Sequence, residues 1–390
     1  MLNSSCNNQP AKESHADSAA PGTFGYDLQF LQKHDSVIVL QQGNARLIVS
    51  PKYQAKVFTS TNAGEEGPSF GWIHYKAFDG PVDPHMNAYG GENRLWLGPE
   101  GSKFALFFPP GAKMEFANWK TPSAFDTEAW QVTKQSDHSV SLRKDMQLVN
   151  YAGTRLSLSV NRTIDLMTDA DIRDNLPPAA RDSVKVVGYK TINTLINTGA
   201  QPWTEKTGAP CMWLLDMFPP SAKTVIAIPC PAEATVTSDY FGQIPADRLK
   251  KDSGFLFFRA DGRQRGKLGI GSAHAGRVAG SYDPARHLLT LIRFDVDNDG
   301  HYCNQEWNTA KPPFTGDAVN AYNDGPLADG SQMGPFYELE SVSPAAFLAP
   351  GAQLVHYHSV YHFTGPETGL DAISRSLLGV KLEQIQRAAR

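Results

Sequence analysis

The chain has 390 residues, of which 41% are hydrophobic and 19% charged, the composition of a globular protein with a sizeable core. Its formal net charge of -4, with no Lys/Arg-rich run, argues against nucleic acid as a partner. No apolar stretch approaches the roughly 18 residues that cross a bilayer, so a membrane-spanning segment is not expected either.

The first 22 residues are polar and poor in aromatic side chains, and such a segment cannot form a core. Within them, the run LNSSC resembles the end of a bacterial lipoprotein signal, with Cys6 as the residue that would carry the lipid. Only five residues precede this cysteine, too few for the charged and apolar regions of a secretory signal. Two interpretations stay open: a lipid-anchored protein of the cell envelope or periplasm with residues 1–22 as a linker, or a cytoplasmic protein with a disordered tail.

From Val37 onward, short runs of β-branched and aromatic residues alternate with glycine, proline and polar turns, a pattern typical of antiparallel strands. The predicted strands, in chain order, are VIVLQ, ARLIVS, AKVFTST, GWIHYKAF, RLWLG, KFALFF, WQVTKQS, SVSLRKDMQLVN, TRLSLSVNRTIDL, VKVVGYKTINTLINTG, MWLLDMF, TVIAIPC, GFLFFRA, LLTLIRFDV, FYELESV and LVHYHSVYHF.

Helical periodicity is scarce in this chain. The segment 171–186 is ambiguous because prolines interrupt it, whereas the run that begins at Leu370 has clear helical spacing, with a break or kink at Gly379. No shift in composition divides the rest of the chain. The sequence therefore predicts an all-β protein, with residues 23–390 as one large antiparallel β-sandwich domain that ends in a helix.

The run DPHMNAYGGENRLWLGPEG holds the first candidate site residues. Arg94 and Trp96 lie two positions apart and share one face of a strand. An indole stacks on the C–H groups of a sugar while a guanidinium donates to its hydroxyls or to a carboxylate, so this pair suits a saccharide. The alternative is that Arg94 pairs with Glu92 or Glu100 and that Trp96 fills the core. Two further candidates from the run are His85 and Asn93.

The second candidate cluster lies in NAYNDGPLADGSQMGPFYELESVSP. Its run FYELE places Glu338 and Glu340 on one face of a strand, about 7 Å apart. Two such carboxylates can share a proton, so that the pKa of one is raised, or one can bind the ligand while the other acts as a general base. On an exposed face they would be solvated charges, and a third alternative is an ion pair with Arg94. Asn323 and Asp324, in the preceding turn, are candidate sugar ligands.

Two motifs bear on metal binding. The run HYHSVYHF contains the binding candidate His358, but it lacks the carboxylates that would complete a metal site. The run DVDNDGHYCNQE satisfies the calcium-loop pattern D-x-[DN]-x-[DN]-G-x5-E, although the residues before it read as a strand rather than a helix. A calcium ion here would be structural, and no other cofactor is expected. Its ligands would be Asp295, Asp297, Asp299 and Glu306.

The motifs YGGENRLWLGPEG, TPSAFDTEAW, AGSYDP, YNDGP and GPFYELESVSPA, in this order, resemble a bacterial family of the galactose-mutarotase-like superfold. The resemblance covers most of the chain and implies a β-supersandwich whose concave face binds saccharides. In the aldose 1-epimerases of this superfold a carboxylate is the base, a histidine is the acid, and an arginine lies near the ring. The run ELESVSPAAFLAPG resembles the region of that base, which implies Glu340 or Glu338 in this role. Arg94 resembles the arginine, and His85 is nearest in position to the histidine.

The sequence thus predicts a carbohydrate-binding, aldose 1-epimerase-like protein whose partner is a mono- or oligosaccharide. In this hypothesis Glu340 removes the proton of the anomeric hydroxyl, Glu338 assists, and His85 protonates the ring oxygen. Two other function classes stay open. One is a non-catalytic glycan-binding protein of the envelope that uses Trp96, Trp130 and Trp307 as stacking surfaces. The other is a lyase or hydrolase in which Arg94 holds a uronate.

Overall fold

A computed structural model of the chain describes residues 19–388. The lipid-anchor prediction at Cys6, and with it the envelope location, falls outside these residues and stays a prediction. In the described part of the chain, no helix is both long and apolar enough to span a membrane.

Antiparallel strands form most of the regular structure, which confirms the predicted all-β class. The strands are β1 (Ile38–Gln42), β2 (Ala45–Ser50), β3 (Lys56–Thr61), β4 (Arg94–Gly98), β5 (Gln131–Gln135), β6 (Ser139–Val149), β7 (Arg155–Leu166), β8 (Lys185–Asn197), β9 (Cys211–Phe218), β10 (Val225–Pro229), β11 (Val236–Thr237), β12 (Leu249–Asp252), β13 (Phe255–Arg259), β14 (Gly266–Gly271), β15 (Val278–Asp283), β16 (Leu288–Phe294), β17 (Asp317–Asn323), β18 (Tyr337–Val342) and β19 (Gln353–Thr364).

Within residues 19–388 these strands form three sheets. The ten-stranded sheet has the order β12-β13-β10-β15-β16-β19-β8-β7-β6-β5, the six-stranded sheet has the order β11-β14-β17-β18-β9-β4, and a small sheet has the order β1-β2-β3. One hydrophobic cluster joins the two large sheets, since it contains Leu158 and Leu195 of the first and Leu214 and Leu339 of the second. The large sheets are therefore the two layers of the predicted sandwich.

Three neighbouring strands of the six-stranded sheet are covered on both faces. Every residue of β4, β9 and β18 is buried. Alternate side chains of a strand point to opposite faces, so only half of them reach the apolar layer between the sheets. The other half includes Arg94, Glu338 and Glu340, which are charged, and burial of charge requires partners.

Two predicted strands, GWIHYKAF and KFALFF, are wrong. Part of the first, Tyr75–Phe78, is a 3₁₀ helix. In the second, the backbone amides of Ala105 and Leu106 donate to the carbonyls of Ser102 and Pro99 within turns. The apolar runs indicated burial correctly, because their side chains reach the core from turns rather than from a strand ladder.

The helices are short: α1 (Phe24–Leu31), α2 (Asp169–Arg173), α3 (Pro178–Arg181), α4 (Glu367–Ile373) and α5 (Leu382–Arg387). The predicted C-terminal helix is confirmed as α4 and α5, separated by a π-helical turn, Ser374–Leu378, and by Gly379. The φ of Gly379 is 91°, a conformation that glycine adopts at little cost, so the break falls where the sequence places it. The sequence pattern does not indicate α1, which is capped by the side chain of Thr23.

Candidate functional site

Strand register brings the two predicted clusters into one row across the six-stranded sheet. Arg94 of β4 lies opposite Leu215 of β9, and Leu215 lies opposite Glu340 of β18. Residues directly opposite in adjacent strands point to the same face. Arg94 and Glu340 therefore share the face that is turned away from the ten-stranded sheet.

The adjacent row adds Glu338 and a lysine that the sequence motifs do not single out. Glu338 lies opposite Tyr322 of β17, and Tyr322 lies opposite Lys267 of β14. β14 has the sequence GKLGIG, and its glycines make it look like a loop, because glycine is depleted in strands. Gly269 has a steric reason: a Cβ atom at this position would lie 2.0 Å from the carboxylate of Asp317.

Each glutamate of this face forms a buried ion pair. Nη2 of Arg94 donates to Oε1 of Glu338 at 2.7 Å, and Nζ of Lys267 donates to Oε2 of Glu340 at 2.9 Å. The indole Nε1 of Trp213 also donates to Oε2 of Glu340, at 2.7 Å. We call these five side chains the carboxylate cluster. Of the pairings that the sequence leaves open for Arg94, the structure has the one with Glu338.

The two glutamates of the carboxylate cluster have different environments. Glu340 is 0% exposed, and its Oε1 has no hydrogen-bond partner within the described residues. Burial raises the pKa of Glu338, the charge of Arg94 opposes this effect, and the charge of Glu340 adds to it. One carboxyl thus favours its protonated form, while the other has a free acceptor oxygen. This is the division that acid–base chemistry requires of two carboxyl groups.

Aromatic rings lie under both cations of the cluster. The guanidinium carbon of Arg94 is 4.6 Å from the ring centroid of Trp96, and Nζ of Lys267 is 4.5 Å from that of Trp213. The face of an aromatic ring attracts a cation, and the N–H groups of that cation remain free to donate hydrogen bonds to other partners. Trp96 is nearly fully buried, so it supports Arg94 rather than presenting an open stacking surface.

Two more carboxylates lie next to the carboxylate cluster. Glu100 accepts hydrogen bonds from the indoles of Trp119 and Trp307, both at 3.0 Å, and burial raises its pKa. Asp317 accepts a hydrogen bond from the hydroxyl of Tyr240, and burial raises its pKa to about 6. Glu100 belongs to the first cluster predicted from the sequence, but the motifs do not indicate that it accepts hydrogen bonds from two indoles. Asp317 lies at the start of β17, a strand that the sequence pattern does not indicate.

His85 contacts aromatic residues and makes no direct bond to the two glutamates among the described residues. Its Nδ1 lies 2.6 Å from the carbonyl oxygen of Trp119, and its ring stacks on Phe116 with the centroids 4.6 Å apart. No hydrogen bond or ion pair joins His85 to Glu338 or Glu340 within residues 19–388. His85 belongs instead to the aromatic stack that leads away from Glu100.

Asn93 and His358, predicted to bind substrate, lie between the two large sheets. Asn93 donates to Oδ1 of Asp216 at 2.5 Å, and Nε2 of His358 lies 2.7 Å from Oδ2 of the same carboxylate. Nδ1 of His358 is also 2.8 Å from the hydroxyl of Ser341. Asn93, Asp216 and Ser341 are each next to a residue of the cluster face and point the other way, as strand alternation requires. His358 reaches them from β19 of the ten-stranded sheet. They support the site strands from behind.

Asn323 and Asp324, the other predicted ligands, hold loops together. Asn323 accepts from the amide of Gly262 and donates to the carbonyl of Gln264, at 2.9 and 2.8 Å. Asp324 accepts from the amide of Gly334 at 2.8 Å and from the hydroxyl of Tyr322 at 3.2 Å. Both are buried, so the turn signal in the sequence marks a structural junction at the edge of the site.

Trp307 lies at the rim, in a stack of near-parallel rings. The ring centroids of Trp307 and Trp119 are 6.0 Å apart at 24°, and those of Trp119 and Phe116 are 6.1 Å apart at 17°. Phe116 is 62% exposed, so the stack runs from solvent to Glu100. Trp307 and Tyr151 also line a cavity of about 460 Å³. The prediction that Trp307 offers a stacking surface stays a prediction, now with a defined place.

The acidic loop does not gather its four predicted calcium ligands. Glu306 pairs with Lys311 at 2.7 Å, Asp295 accepts a backbone amide at 3.2 Å, and Asp297 accepts the amide of Asp299 at 3.2 Å. Among residues 19–388, no group of three or more His, Cys, Asp or Glu side chains is arranged to hold a metal ion. The loop thus offers calcium no ligand cluster.

Solved structures with the same architecture define the class of fold. A candidate aldose 1-epimerase from Escherichia coli K12 superposes with a TM-score of 0.50 at 16% identity, over 84% of this chain and 98% of that one. A galactose mutarotase-like protein from Lactobacillus casei ATCC 334 superposes with a TM-score of 0.50 at 12% identity, over 84% of this chain and 100% of that one. The Slr1438 protein from Synechocystis sp. PCC 6803 superposes with a TM-score of 0.53 at 13% identity, over 85% of this chain and 96% of that one. The predicted galactose-mutarotase-like supersandwich is confirmed.

Within this class, the chain belongs to the family of unknown function DUF6786, which matches residues 22–389. Among curated proteins, none matches the chain.

Proposed function

We propose that this protein binds a carbohydrate at the carboxylate cluster and interconverts its anomers by acid–base catalysis. One observation carries the proposal: Glu340 is fully buried, yet its Oε1 has no hydrogen-bond partner among the described residues. A buried acceptor without a donor is costly unless a ligand or a water completes it. An anomeric hydroxyl is such a donor, and the fold shared with the Lactobacillus casei galactose mutarotase-like protein supports the same class of ligand.

The proposed reaction opens and recloses the sugar ring. Oε1 of Glu340 takes the proton of the anomeric hydroxyl, and the electron pair of that O–H bond forms the carbonyl of the open chain. The bond between the anomeric carbon and the ring oxygen breaks, and the ring oxygen receives a proton from Glu338. Rotation of the aldehyde and reversal of both transfers give the other anomer and return each proton, so the enzyme ends as it began.

Glu338 takes the role of acid that the sequence comparison implied for His85, because Glu338 lies in the cluster and His85 does not. Its raised pKa keeps the carboxyl protonated at a pH where an ordinary glutamic acid is ionised. Loss of that proton removes the acid, so the exchange rate should fall as pH rises through the pKa of Glu338. Lys267 and Trp213 orient Glu340 by donating to its Oε2.

The charges of the cluster favour a neutral sugar. Within the described residues, Arg94 and Lys267 are each paired with a glutamate. A uronate or a phosphate would have to displace one of these two contacts, and it would meet the carboxylate of Glu340. This argues against the lyase or hydrolase alternative, in which Arg94 would hold a uronate.

Exchange NMR on free glucose, galactose, mannose and xylose tests the proposal. The wild-type protein should speed anomer exchange above the buffer rate for at least one sugar, and Glu340→Gln should lower that acceleration by about 100-fold or more, the typical contribution of a positioned general base. Glu66→Gln changes an exposed glutamate and should leave the rate unchanged. Sugar binding without any acceleration would contradict the catalytic part, and the absence of both would contradict the whole.

A second candidate function is glycan binding without turnover. The rings of Phe116, which is 62% exposed, and of the half-buried Trp307 favour it, because accessible aromatic faces bind the C–H faces of pyranoses without any shifted pKa. Binding that survives Glu340→Gln but is lost in Trp307→Ala, with no anomer exchange in the wild type, would establish this function instead.

A further inference from the structure

A second cavity lies where β14 ends and β17 begins. It has a volume of about 330 Å³, within the range of roughly 300–1,000 Å³ typical of small-molecule sites. Neither Glu338 nor Glu340 lines it, so it is not the space in which the proposed reaction occurs. Its polar lining consists of Thr235, Thr237, Ser272, His274, Thr315 and Asp317.

Asp317 is the most deeply buried charged group of this cavity. Tyr240 donates to its Oδ2, and the hydroxyl of Thr237 lies 3.5 Å from its Oδ1. The missing side chain of Gly269 makes room for this carboxylate within the sheet. A buried acid at a cavity wall can accept sugar hydroxyls with little loss of solvation on binding, since it has already lost its water.

The cavity and the carboxylate cluster are joined through Lys267. The charge of this lysine opposes the rise in the pKa of Asp317, so the two groups lie within electrostatic reach. The hydroxyl of Tyr240 donates a hydrogen bond to Asp317, and the centroid of its ring is 5.6 Å from Nζ of Lys267. Lys267 in turn pairs with Glu340. A ligand at the cluster would have to extend past Lys267 and Tyr240 to reach this cavity.

The composition of the cavity fits a neutral pyranose. Hydroxyl groups and a carboxylate line it together with the rings of Tyr302 and Phe314. Such a mixture provides hydrogen bonds for hydroxyls and apolar area for C–H faces. The carboxylate of Asp317 would repel an acidic sugar.

We infer that this cavity is a second saccharide subsite, so that the ligand is a neutral oligosaccharide with one unit at the carboxylate cluster and the next at Asp317. The inference rests on the proposed function and specifies the chain length of its ligand. It gives the long segment between β16 and β17 a role, since residues 300, 302 and 314–316 of that segment form part of the wall.

Gly271 offers a way to fill the cavity without disturbing the fold. It lines the cavity, its backbone is extended, and a Cβ atom built there meets nothing within 4 Å. Gly271→Phe would therefore place a ring in the open space. Gly80→Phe is the matched control, because Gly80 is exposed, lines neither cavity and has no atom closer than 3.9 Å to a Cβ atom.

The experiment compares the affinities of monosaccharides and disaccharides by isothermal titration calorimetry. The probes are glucose and galactose against maltose, cellobiose and lactose. The wild type should bind at least one disaccharide about tenfold more tightly than its monosaccharide, a difference of about 1.4 kcal/mol. Gly271→Phe should remove this preference, and Gly80→Phe should keep it. Asp317→Asn, which preserves shape, should weaken the preference as well and serves if Gly271→Phe does not fold.

The outcomes separate the inference from the function beneath it. If the wild type binds no sugar of either length, the proposed function and the subsite fall together. If it binds or exchanges monosaccharides but shows no preference for any disaccharide, only the subsite is overturned. A preference that persists in both Gly271→Phe and Asp317→Asn also overturns the subsite.

Discussion

At the scale of single residues, two glutamates of one strand acquire different chemistry from their neighbours. Glu338 and Glu340 both point to the same face of β18, and the sequence shows this spacing. What the sequence does not show is that Glu338 meets Arg94 and that Glu340 meets Lys267, because these partners come from other strands. Burial raises the pKa of Glu338, and Lys267 and Trp213 bond only one oxygen of Glu340, so the difference between the two carboxyls comes from the folded structure and not from their spacing.

A buried histidine predicts how stability depends on pH. Burial lowers the pKa of His356 to about 3 from its usual 6.5, and the neighbouring His358 adds to this effect. Below pH 6.5 the unfolded chain binds a proton at this residue that the folded protein does not bind, so stability falls as pH drops from 6.5 toward 3. At pH 5 the loss from His356 is about 2 kcal/mol, at about 1.4 kcal/mol per pKa unit.

Urea unfolding at pH 5 and pH 7.5 measures this effect. His356→Gln should retain a donor toward the hydroxyl of Ser341 and should lose about 2 kcal/mol less than the wild type between the two pH values. His138→Gln, which changes an exposed histidine, should behave like the wild type. Equal acid sensitivity of His356→Gln and wild type would show that His356 is not the responsible group.

At the scale of elements, the long segment between β16 and β17 is held by one isolated bridge, Tyr302 to Thr315, and by close backbone contacts. A Cβ atom at Gly316 would lie 1.9 Å from the carbonyl oxygen of Cys303, within the same segment. Gly316→Ala must therefore displace backbone, which should cost about 1–3 kcal/mol of unfolding free energy, as overpacking does. Because Gly316 lines the 330 Å³ cavity, the same change should alter the affinity for disaccharides.

Chemical denaturation of Gly316→Ala and Gly276→Ala checks this prediction. A Cβ atom at Gly276 has its nearest contact at 3.5 Å, an ordinary van der Waals distance, so this control should stay within about 1 kcal/mol of the wild type. A Gly316→Ala protein as stable as the control would mean that the segment relaxes freely and does not form a fixed wall.

The elements also show how much of the structure the sequence can predict. Strands with clear alternation, such as β6, β7 and β8, were predicted, because one buried face leaves a period of two in the residues. The sequence does not predict β14, because its glycines, which allow tight packing around Asp317, are typical of loops. Lys267 lies on that strand, so its part in the site could not be predicted. The part of Arg94 could be predicted, since its motif and its neighbour Trp96 lie together in the sequence.

At the scale of the whole molecule, one buried side chain connects all three sheets. Arg162 of β7 is 0% exposed. Its Nε donates to the carbonyl of Ala55, just before β3, at 3.0 Å, and its Nη1 donates to Asn193 of β8 at 2.8 Å. Its Nη2 donates to the side chain of Asn93, which precedes Arg94 of the carboxylate cluster. The guanidinium therefore fixes the layer on which the site is built.

Arg162→Leu should lower the free energy of unfolding by about 3–5 kcal/mol, because it leaves Asn193, Asn93 and the carbonyl of Ala55 buried without their donor. Arg155→Leu changes an exposed arginine of the same strand and should shift stability by no more than about 0.5 kcal/mol. Urea unfolding followed by tryptophan fluorescence measures both. If Arg162→Leu lost less than about 1 kcal/mol, the buried guanidinium would contribute almost no net stability, and packing of the apolar layers alone would hold the sheets together.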